Sequence, residues 1–331
     1  MRALITGEKG FIGTNLPRSL SKYNISSFNP NLDDTKKELF EEIGTKYTDT
    51  NEICVHLNNE NLWEKIFDSQ KIDIVIHNAA VVGTDVVALK PSEATLTNVT
   101  GTYNIIRAAN KCNIPVVYLG TTVIYDAKLY QELHIKEDSV RGPHTYYGHL
   151  KVTAEEMVKS FANKWMIIRP LFAYGGVGDM NSLIAKTFYA SKENEKINMF
   201  LNPNKIKDYL HVEDFCDAVA LAIFKDLFQD DFNIAAETPI ITQEIITSMS
   251  DIAGKDLNPL IKWHPKTDYL GNHRLSRKKF TSYTDWQPSI SLLDGLRRSY
   301  ESITSERDSN YNPLIYLQEA ENQNIDLTKY Y

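Results

Sequence analysis

Arg2-Ala3-Leu4-Ile5-Thr6-Gly7-Glu8-Lys9-Gly10-Phe11-Ile12-Gly13 opens the chain, and its reading decides the fold. A short apolar run ends in a turn with three glycines, and Thr14 to Lys22 then reads as a helix. Strand, glycine turn and helix in that order are the context a dinucleotide-binding turn requires. Gly7 allows the tight turn, Gly10 lets backbone approach a pyrophosphate, and Gly13 lets the helix pack close to the sheet. Phe11 and Ile12 stand in this turn, and the helix N-terminus that follows Gly13 offers unpaired N–H groups and a positive dipole end to phosphate oxygens. Ordinary loop glycines are the alternative for this spacing, but its place directly after a first strand favours the binding turn.

The alternation continues outward from there. Ile25 to Phe28, Glu52 to Leu57, Asp73 to His77, Ile114 to Leu119 and Trp165 to Arg169 read as further strands. Helices are expected at Asn61 to Ser69, at Pro91 to Cys112 and from Tyr147 onward. Strands alternating with helices from Arg2 to Pro170 predict an α/β fold, a doubly wound, parallel, Rossmann-like sheet with right-handed crossovers. Beyond Pro170 the rhythm changes. Tyr174 to Asp179 reads as a loop, Ser182 to Lys192 as a helix, and Ile206 to Asp214 as a strand leading into a helix from Phe215 to Phe228. Phe232-Asn233-Ile234 looks like a strand returning to the main sheet. Residues 1–170, with 206–235 returning to them, are therefore expected to form the NAD(P)-binding domain. Residues 171–205 and 236–306 form a smaller C-terminal substrate lobe, and 307–331 a polar tail without identifiable chemistry.

The chain has 331 residues, 42 % hydrophobic and 24 % charged, enough to bury a sizeable core. At about 150 residues per domain, that length suits two domains, or one domain with a lobe. A formal net charge of −7 without a basic block argues against nucleic acid as a partner. The cluster Arg274 to Lys279 reads as a solvated helix face. Cys54, Cys112 and Cys216 stand apart, without metal-ligand spacing, like buried thiols of a reducing compartment. Met1-Arg2 runs directly into a strand and no apolar run approaches ~18 residues, so a cytoplasmic protein with no membrane segment is expected.

Thr145-Tyr146-Tyr147-Gly148-His149-Leu150-Lys151 carries the candidate chemistry. On a helix, Tyr147 and Lys151 lie on one face, about a turn apart. Free tyrosine titrates near pH ~10, and a fixed positive charge favours the phenolate and lowers that value. An acid/base works best with a pKa near the working pH, so Tyr147 suits an alcohol losing hydride or a ketone gaining it. Tyr-x-x-x-Lys also occurs by chance in many helices, and it is the company upstream that gives it meaning. In Gly120-Thr121-Thr122-Val123-Ile124-Tyr125, two hydroxyls stand at a strand's carboxyl end, where Thr121 can donate to the substrate oxygen as charge develops. Residues 126 to 144 form a polar loop placed to cover the site.

On the cofactor side, Asn78, Ala79 and Ala80 leave room at a strand's end. His56 and Leu57 are expected beside the adenine, with an edge histidine as the alternative for His56. Asn98 either ties two strand ends together or touches the cofactor. Asn29 stands where an acidic residue for the adenosine ribose hydroxyls is expected, which leaves NAD and NADP both open. Lys36 and Lys37 suit either a 2′-phosphate or, more simply, a solvated helix surface.

With these residues placed, the sequence resembles the extended short-chain dehydrogenase/reductase family, especially its nucleotide-sugar epimerases, dehydratases and reductases. The resemblance covers about residues 1 to 304. It rests on the glycine turn from Thr6 to Gly13, His77-Asn78-Ala79-Ala80, Asn98 with Gly101-Thr102, Leu119 to Tyr125, Tyr147 with Lys151, Arg169-Pro170, Asp208 to Asp214 and Trp286-Gln287-Pro288. It implies Tyr147 as the acid/base, Lys151 holding the nicotinamide ribose and depressing the phenol's pKa, and Thr121 binding the reacting oxygen. It also implies Pro170 beside the cofactor, which is NAD with NADP as the alternative. A nucleoside-diphosphate sugar would meet Thr122, Val123, Phe172, Asn181, Lys207 and Arg274, with hydride transfer at sugar C4 in a homodimer built from paired helices.

The departures narrow the choice. Family dehydratases and decarboxylases carry an acid just after the hydroxyl residue, where this chain has Thr122 and Val123. The cysteine and histidine of the bifunctional epimerase-reductases match Val123 and Leu183. The family's diphosphate asparagine is Phe172 here, and its arginine is Lys207. A 4-epimerase of a nucleotide sugar leads, with NAD staying bound throughout. An NADPH-dependent reductase of a nucleotide 4-keto-sugar is the alternative, and a non-catalytic NAD(P)-binding scaffold is the third reading.

Overall fold

A computed structural model describes residues 1–28, 57, 60–130, 134–175, 178–305 and 312–331. Asn29, Lys36, Lys37, Cys54 and His56 lie outside these residues. So does the strand expected over 52–57, apart from Leu57, which is buried and has helical rather than extended backbone.

The opening turn joins β1 (Arg2–Thr6) to α1 (Phe11–Ser21), and β2 (Ser26–Phe28) follows. Next come α2 (Glu60–Gln70), β3 (Ile74–His77) and α3 (Thr84–Leu89). The regular helix expected from Pro91 to Cys112 is instead α4 (Pro91–Thr95), a π-helical segment Leu96–Gly101, and α5 (Thr102–Lys111). The widened turn is where Asn98 reaches out of the helix, its Oδ1 accepting from Val81 N at 2.8 Å and its Nδ2 donating to Val81 O at 2.9 Å. Such π segments recur where a side chain inserts into, or leaves, the regular ladder. Asn98 thus clasps a helix to the loop after β3, rather than joining two strand ends.

β4 (Val116–Leu119), α6 (Tyr146–Phe161) and β5 (Trp165–Pro170) complete the first run. Then follow β6 (Ala173–Tyr174), α7 (Leu183–Glu193), β7 (Ile197–Met199), β8 (Ile206–Lys207) and β9 (Leu210–His211). α8 covers Val212–Phe224, beginning and ending earlier than the 215–228 expected. His211 caps it by accepting from Glu213 N at 3.3 Å, and Glu213 and Asp214 sit in its first turn, where the dipole favours acids. β10 (Asp230–Ile234), β11 (Ile240–Ile241), α9 (Thr242–Ala253), β12 (Ile261–Trp263), α10 (Lys278–Thr284), α11 (Leu292–Ser305) and α12 (Ile315–Asn322) end the chain.

Six strands form one parallel sheet in the order β10-β5-β4-β3-β1-β2. Alternate side chains along each strand serve opposite faces. Ala3, Ile5, Ile74, Ile76, Val117, Leu119, Met166 and Ile168 pack with α1 and α8, while Leu4, Val75, Val116, Tyr118 and Ile167 pack with α2, α5 and α6. Each fully buried Leu or Ile contributes about 1.5–3 kcal/mol. Both faces are covered, as the apolar runs of the strands require. β10 enters beside β5, the return expected for Phe232-Asn233-Ile234.

A second core gathers Ile184, Phe188, Met199, Tyr209, Ile245, Met249 and Leu296. Leu314, Leu317, Ala320 and Leu327 belong to it, so residues 312–331, expected as a polar tail, seat these side chains in the second core. The solvated face expected at Arg274 to Lys279 is also corrected. Arg277 bonds the carbonyls of Ala235 and Ala236, and Lys279 pairs with Asp230 and Asp231, which pins α10 to β10. The loop over 126–144 is tied down as well: Ile135 is fully buried and its N–H donates to Arg274 O at 2.8 Å.

Candidate functional site

The glycine turn is shaped by close approach. Gly7 has φ +70°, and a Cβ there would lie 2.8 Å from Ala79 Cα; on Gly13 it would lie 2.2 Å from Gly7 O. Only glycine fits either place. Gly10 precedes α1 and, lacking a side chain, cannot cap the first N–H groups, those from Phe11 onward. Thr6 Oγ accepts from Asn78 N (3.2 Å) and Ala79 N (3.1 Å), while Asn78 Nδ2 donates to Gly7 O at 3.0 Å. His77 locks the base of the turn, with Nδ1 2.8 Å from Thr6 Oγ and Nε2 3.0 Å from Thr102 Oγ. Burial lowers its pKa to about 3, so it stays neutral. A tight, uncapped helix start with bare glycine backbone has the shape and polarity that a dinucleotide's phosphates require. Half-buried Ala80 follows β3, half-buried Pro170 ends β5, and Leu57 O accepts from Asn104 Nδ2 at 2.9 Å.

α6 starts where Thr145 caps it, its Oγ accepting from Gly148 N at 3.2 Å. Tyr147 and Lys151 then fall on the same buried face, and the Thr121 hydroxyl lies near enough to Tyr147 to favour its phenolate. Lys151 Nζ donates to Leu119 O at 2.8 Å and sits 4.3 Å from the centre of the Tyr118 ring. The lowered phenol pKa expected from this pairing is not what the protein alone provides. Tyr147 is only 8 % exposed, and burial, which disfavours the phenolate, raises its pKa; the nearby Thr121 hydroxyl offsets this only in part. The desolvation falls on Lys151 too, lowered to about 8, with Glu155 one turn further along offsetting part of the shift.

Behind Lys151 the charges are paired. Arg169, fully buried, holds both Glu155 oxygens from Nε (2.9 Å) and Nη2 (2.8 Å), and Nη2 also donates to Asp231 Oδ2 at 2.7 Å. Its Nη1 donates to the Tyr125 hydroxyl at 3.0 Å, which in turn donates to Asn233 Oδ1 at 2.9 Å. This network stitches α6, β5, β10 and the turn after β4 into one body.

Of the substrate-side residues, Thr122 and Phe172 meet around His273, and the Lys207 ammonium lies 5.8 Å from the centre of the Phe172 ring. Thr122 is buried, and its hydroxyl lies 3.3 Å from His273 Nε2. Val123 is half-buried against Tyr147, Leu150 and Val87. Phe172 holds φ +33°, costly for a side chain with a Cβ. Its ring is held 5.6 Å from Tyr209 and 5.8 Å, edge-on, from His273. Lys207 is fully buried, and its ammonium is committed to Asp268 Oδ1 (3.0 Å) and Gly271 O (2.6 Å). Half-buried Arg274 lies beside His273, and exposed Asn181 stands just ahead of Ser182, the cap of α7.

Other residues here gave no signal in sequence. Asp85 and Lys186 form a buried ion pair at 2.9 Å between α3 and α7. The Tyr269 phenol lies near the Thr145 and Thr84 hydroxyls, and the Tyr331 ring stacks on Phe200 with centroids 4.6 Å apart. Each pairing joins residues far apart in the chain, so no local spacing announces it.

Comparison with known proteins follows the same lines. The model of the "NAD dependent epimerase/dehydratase family" matches residues 3–235. The human dTDP-D-glucose 4,6-dehydratase is 22 % identical, aligned over 91 % of this chain and 89 % of its own. A UDP-glucuronate 4-epimerase of Thermodesulfobacterium geofontis is 24 % identical over 89 % of this chain and 94 % of its own. Among solved structures, the UDP-glucose 4-epimerase of Thermus thermophilus in complex with NAD superposes with a TM-score of 0.75, at 21 % identity, over 92 % of this chain and 99 % of that one.

Proposed function

Because the chain belongs to the NAD dependent epimerase/dehydratase family, we propose that it is a nucleotide-sugar 4-epimerase. The observation that carries the reading is the placement of Tyr147 beside Thr121, with Lys151 one turn along the same face and the glycine turn at the head of the same sheet. NAD, when bound, supplies a hydride acceptor, which no side chain offers. Tyr147 takes the C4 hydroxyl proton, Thr121 holds the reacting oxygen, and Tyr147 returns the proton after the sugar has turned. Lys151 contributes its ammonium to the ribose and to the developing phenolate, the charge that burial otherwise opposes. Thr122 and Val123 bring no acid to the neighbouring carbons, which sets this site apart from elimination chemistry even though a 4,6-dehydratase is among the relatives.

Asn29, in place of a ribose-binding acid, favours a second reading, an NADPH-dependent reductase of a nucleotide 4-keto-sugar using the same Thr121, Tyr147 and Lys151. The absorbance and mass spectrum of cofactor released from the denatured protein separate the two. Retained NAD, with equilibration of UDP-, dTDP- or GDP-sugar C4 epimers, is expected. Protein that arrives without cofactor and oxidises NADPH with a 4-keto-sugar overturns the epimerase in favour of the reductase. Exposed Leu96, Tyr103, Tyr146 and Phe161, on α5, α6 and the π-helical segment, suit a homodimer of paired helices, to be checked by light scattering.

A further inference from the structure

We propose that His273 is a positioning residue for this reaction: by donating its Nε2 proton to Thr122 Oγ, it turns the Thr122 hydroxyl proton toward the substrate as a second donor beside Thr121. The proposal rests on the reading of the site given above. His273 is fully buried, and among the described residues its ring makes one side-chain hydrogen bond, the 3.3 Å contact from Nε2 to Thr122 Oγ; Nδ1 is buried without a partner there.

That asymmetry decides the tautomer. Burial, followed by the nearby Lys207 ammonium, keeps the ring neutral at a pKa of about 3, so it has a single proton to place. On Nδ1 the proton would be a buried donor facing no acceptor, the arrangement folded proteins avoid most. On Nε2 it meets the Thr122 oxygen. A hydroxyl that accepts there keeps its own proton for another acceptor, and Thr122 follows Thr121 directly at the carboxyl end of β4. Two adjacent donors suit a carbonyl oxygen formed by oxidation of a sugar alcohol better than the alcohol itself, the differential contact that catalysis requires.

The placement of His273 is heavily determined. Its N–H donates to Ile206 O at 3.0 Å, Ile206 N donates to Asn272 Oδ1 at 3.0 Å, and Lys207 ties the loop through Asp268 and Gly271 O. Phe172 packs edge-on against the ring. Lys207 thereby has a task, holding this loop, that accounts for its burial.

The test has two readouts. Long-range ¹H–¹⁵N spectra of the full chain report the tautomer without any substrate: an Nε2-protonated ring is expected for His273, and an Nδ1-protonated ring overturns the proposal whatever the reaction proves to be. Kinetics then compare His273→Gln, whose amide N–H can replace the Nε2 donor, with His273→Phe, Thr122→Val and the double variant. His273→Phe is expected to lose about tenfold in kcat with cofactor affinity unchanged, His273→Gln to recover most of it, and the double variant to be no worse than Thr122→Val. Wild-type kcat in His273→Phe, no recovery in Gln, or additive losses each overturn the proposal. Failure of Tyr147→Phe to reduce turnover would instead sink the reading of the site.

Discussion

Lys151 and Arg169 are both buried cations that meet α6, yet their surroundings are opposite. Arg169 has two carboxylates, Glu155 and Asp231, and a phenol on its nitrogens; burial opposes its charge, but these partners raise its pKa. Among the described residues Lys151 has only a carbonyl and a ring face, and burial lowers it to about 8. Glu155 lies one turn past Lys151 but gives both oxygens to Arg169. A charge already met by carboxylates serves the scaffold, while one met by dipoles alone remains available to a ligand. Perturbed groups of the second kind mark sites.

Tyr147→Phe should produce the largest effect, a ~10²–10⁴-fold loss of turnover with cofactor still retained, measured by steady-state kinetics beside equilibrium cofactor binding. Turnover within threefold of wild type would remove the site from the comparison. Glu155→Gln attacks the other cation. Breaking a buried pair costs about 3–5 kcal/mol, to be read from denaturant unfolding, and a loss under 1 kcal/mol would mean that Arg169 is not the anchor described.

Lys151→Met sharpens the contrast most directly. Turnover should fall about a hundredfold, while unfolding free energy at pH 7 stays level or rises, because a buried charge without a counter-ion has been removed. A stability loss like that of Glu155→Gln would make the two cations alike.

The smallest effect is in pH dependence. With Lys151 lowered from 10.5 to about 8, the unfolded chain binds more protons than the folded one between those values, so this group makes stability rise with pH across that window and contributes no slope below it. Lys151→Met should flatten that limb. Asp231 acts at the acid end: burial alone would raise its pKa, but Arg169 and Lys159 hold it below the usual range. Its contribution is present above pH ~4 and is lost as pH falls through the folded value, so Asp231→Asn should remove part of the acid limb in a thermal titration.

The strand, glycine turn and helix were legible because they are local, as was the shared face of Tyr147 and Lys151, which follows from helical periodicity alone. That the sheet is parallel, with helices on both faces, followed from alternation. The partners of the site were not legible. His273 meets Thr122 across 151 positions and Lys207 meets Asp268 across 61, so both contacts exist only after the chain has folded. The direction of the Tyr147 shift was missed for a related reason: spacing placed a cation nearby but said nothing of how completely both groups leave water. Leu314, Leu317 and Leu327 were hidden by the polar residues around them, although three spaced leucines are enough to seat a segment on a core.

The position of β10 beside β5 carries a consequence for how the chain comes off the ribosome. Asp231 is made 62 residues after the Arg169 it pairs with, and at roughly 5–20 residues per second that is a delay of about 3–12 s. Throughout that interval β5 is an open sheet edge with part of its anchor missing, waiting for the strand that will close it. The six-stranded sheet therefore cannot mature before β10 has been translated, and a chain cut ahead of Asp230 should accumulate as a sticky intermediate rather than as an independent domain.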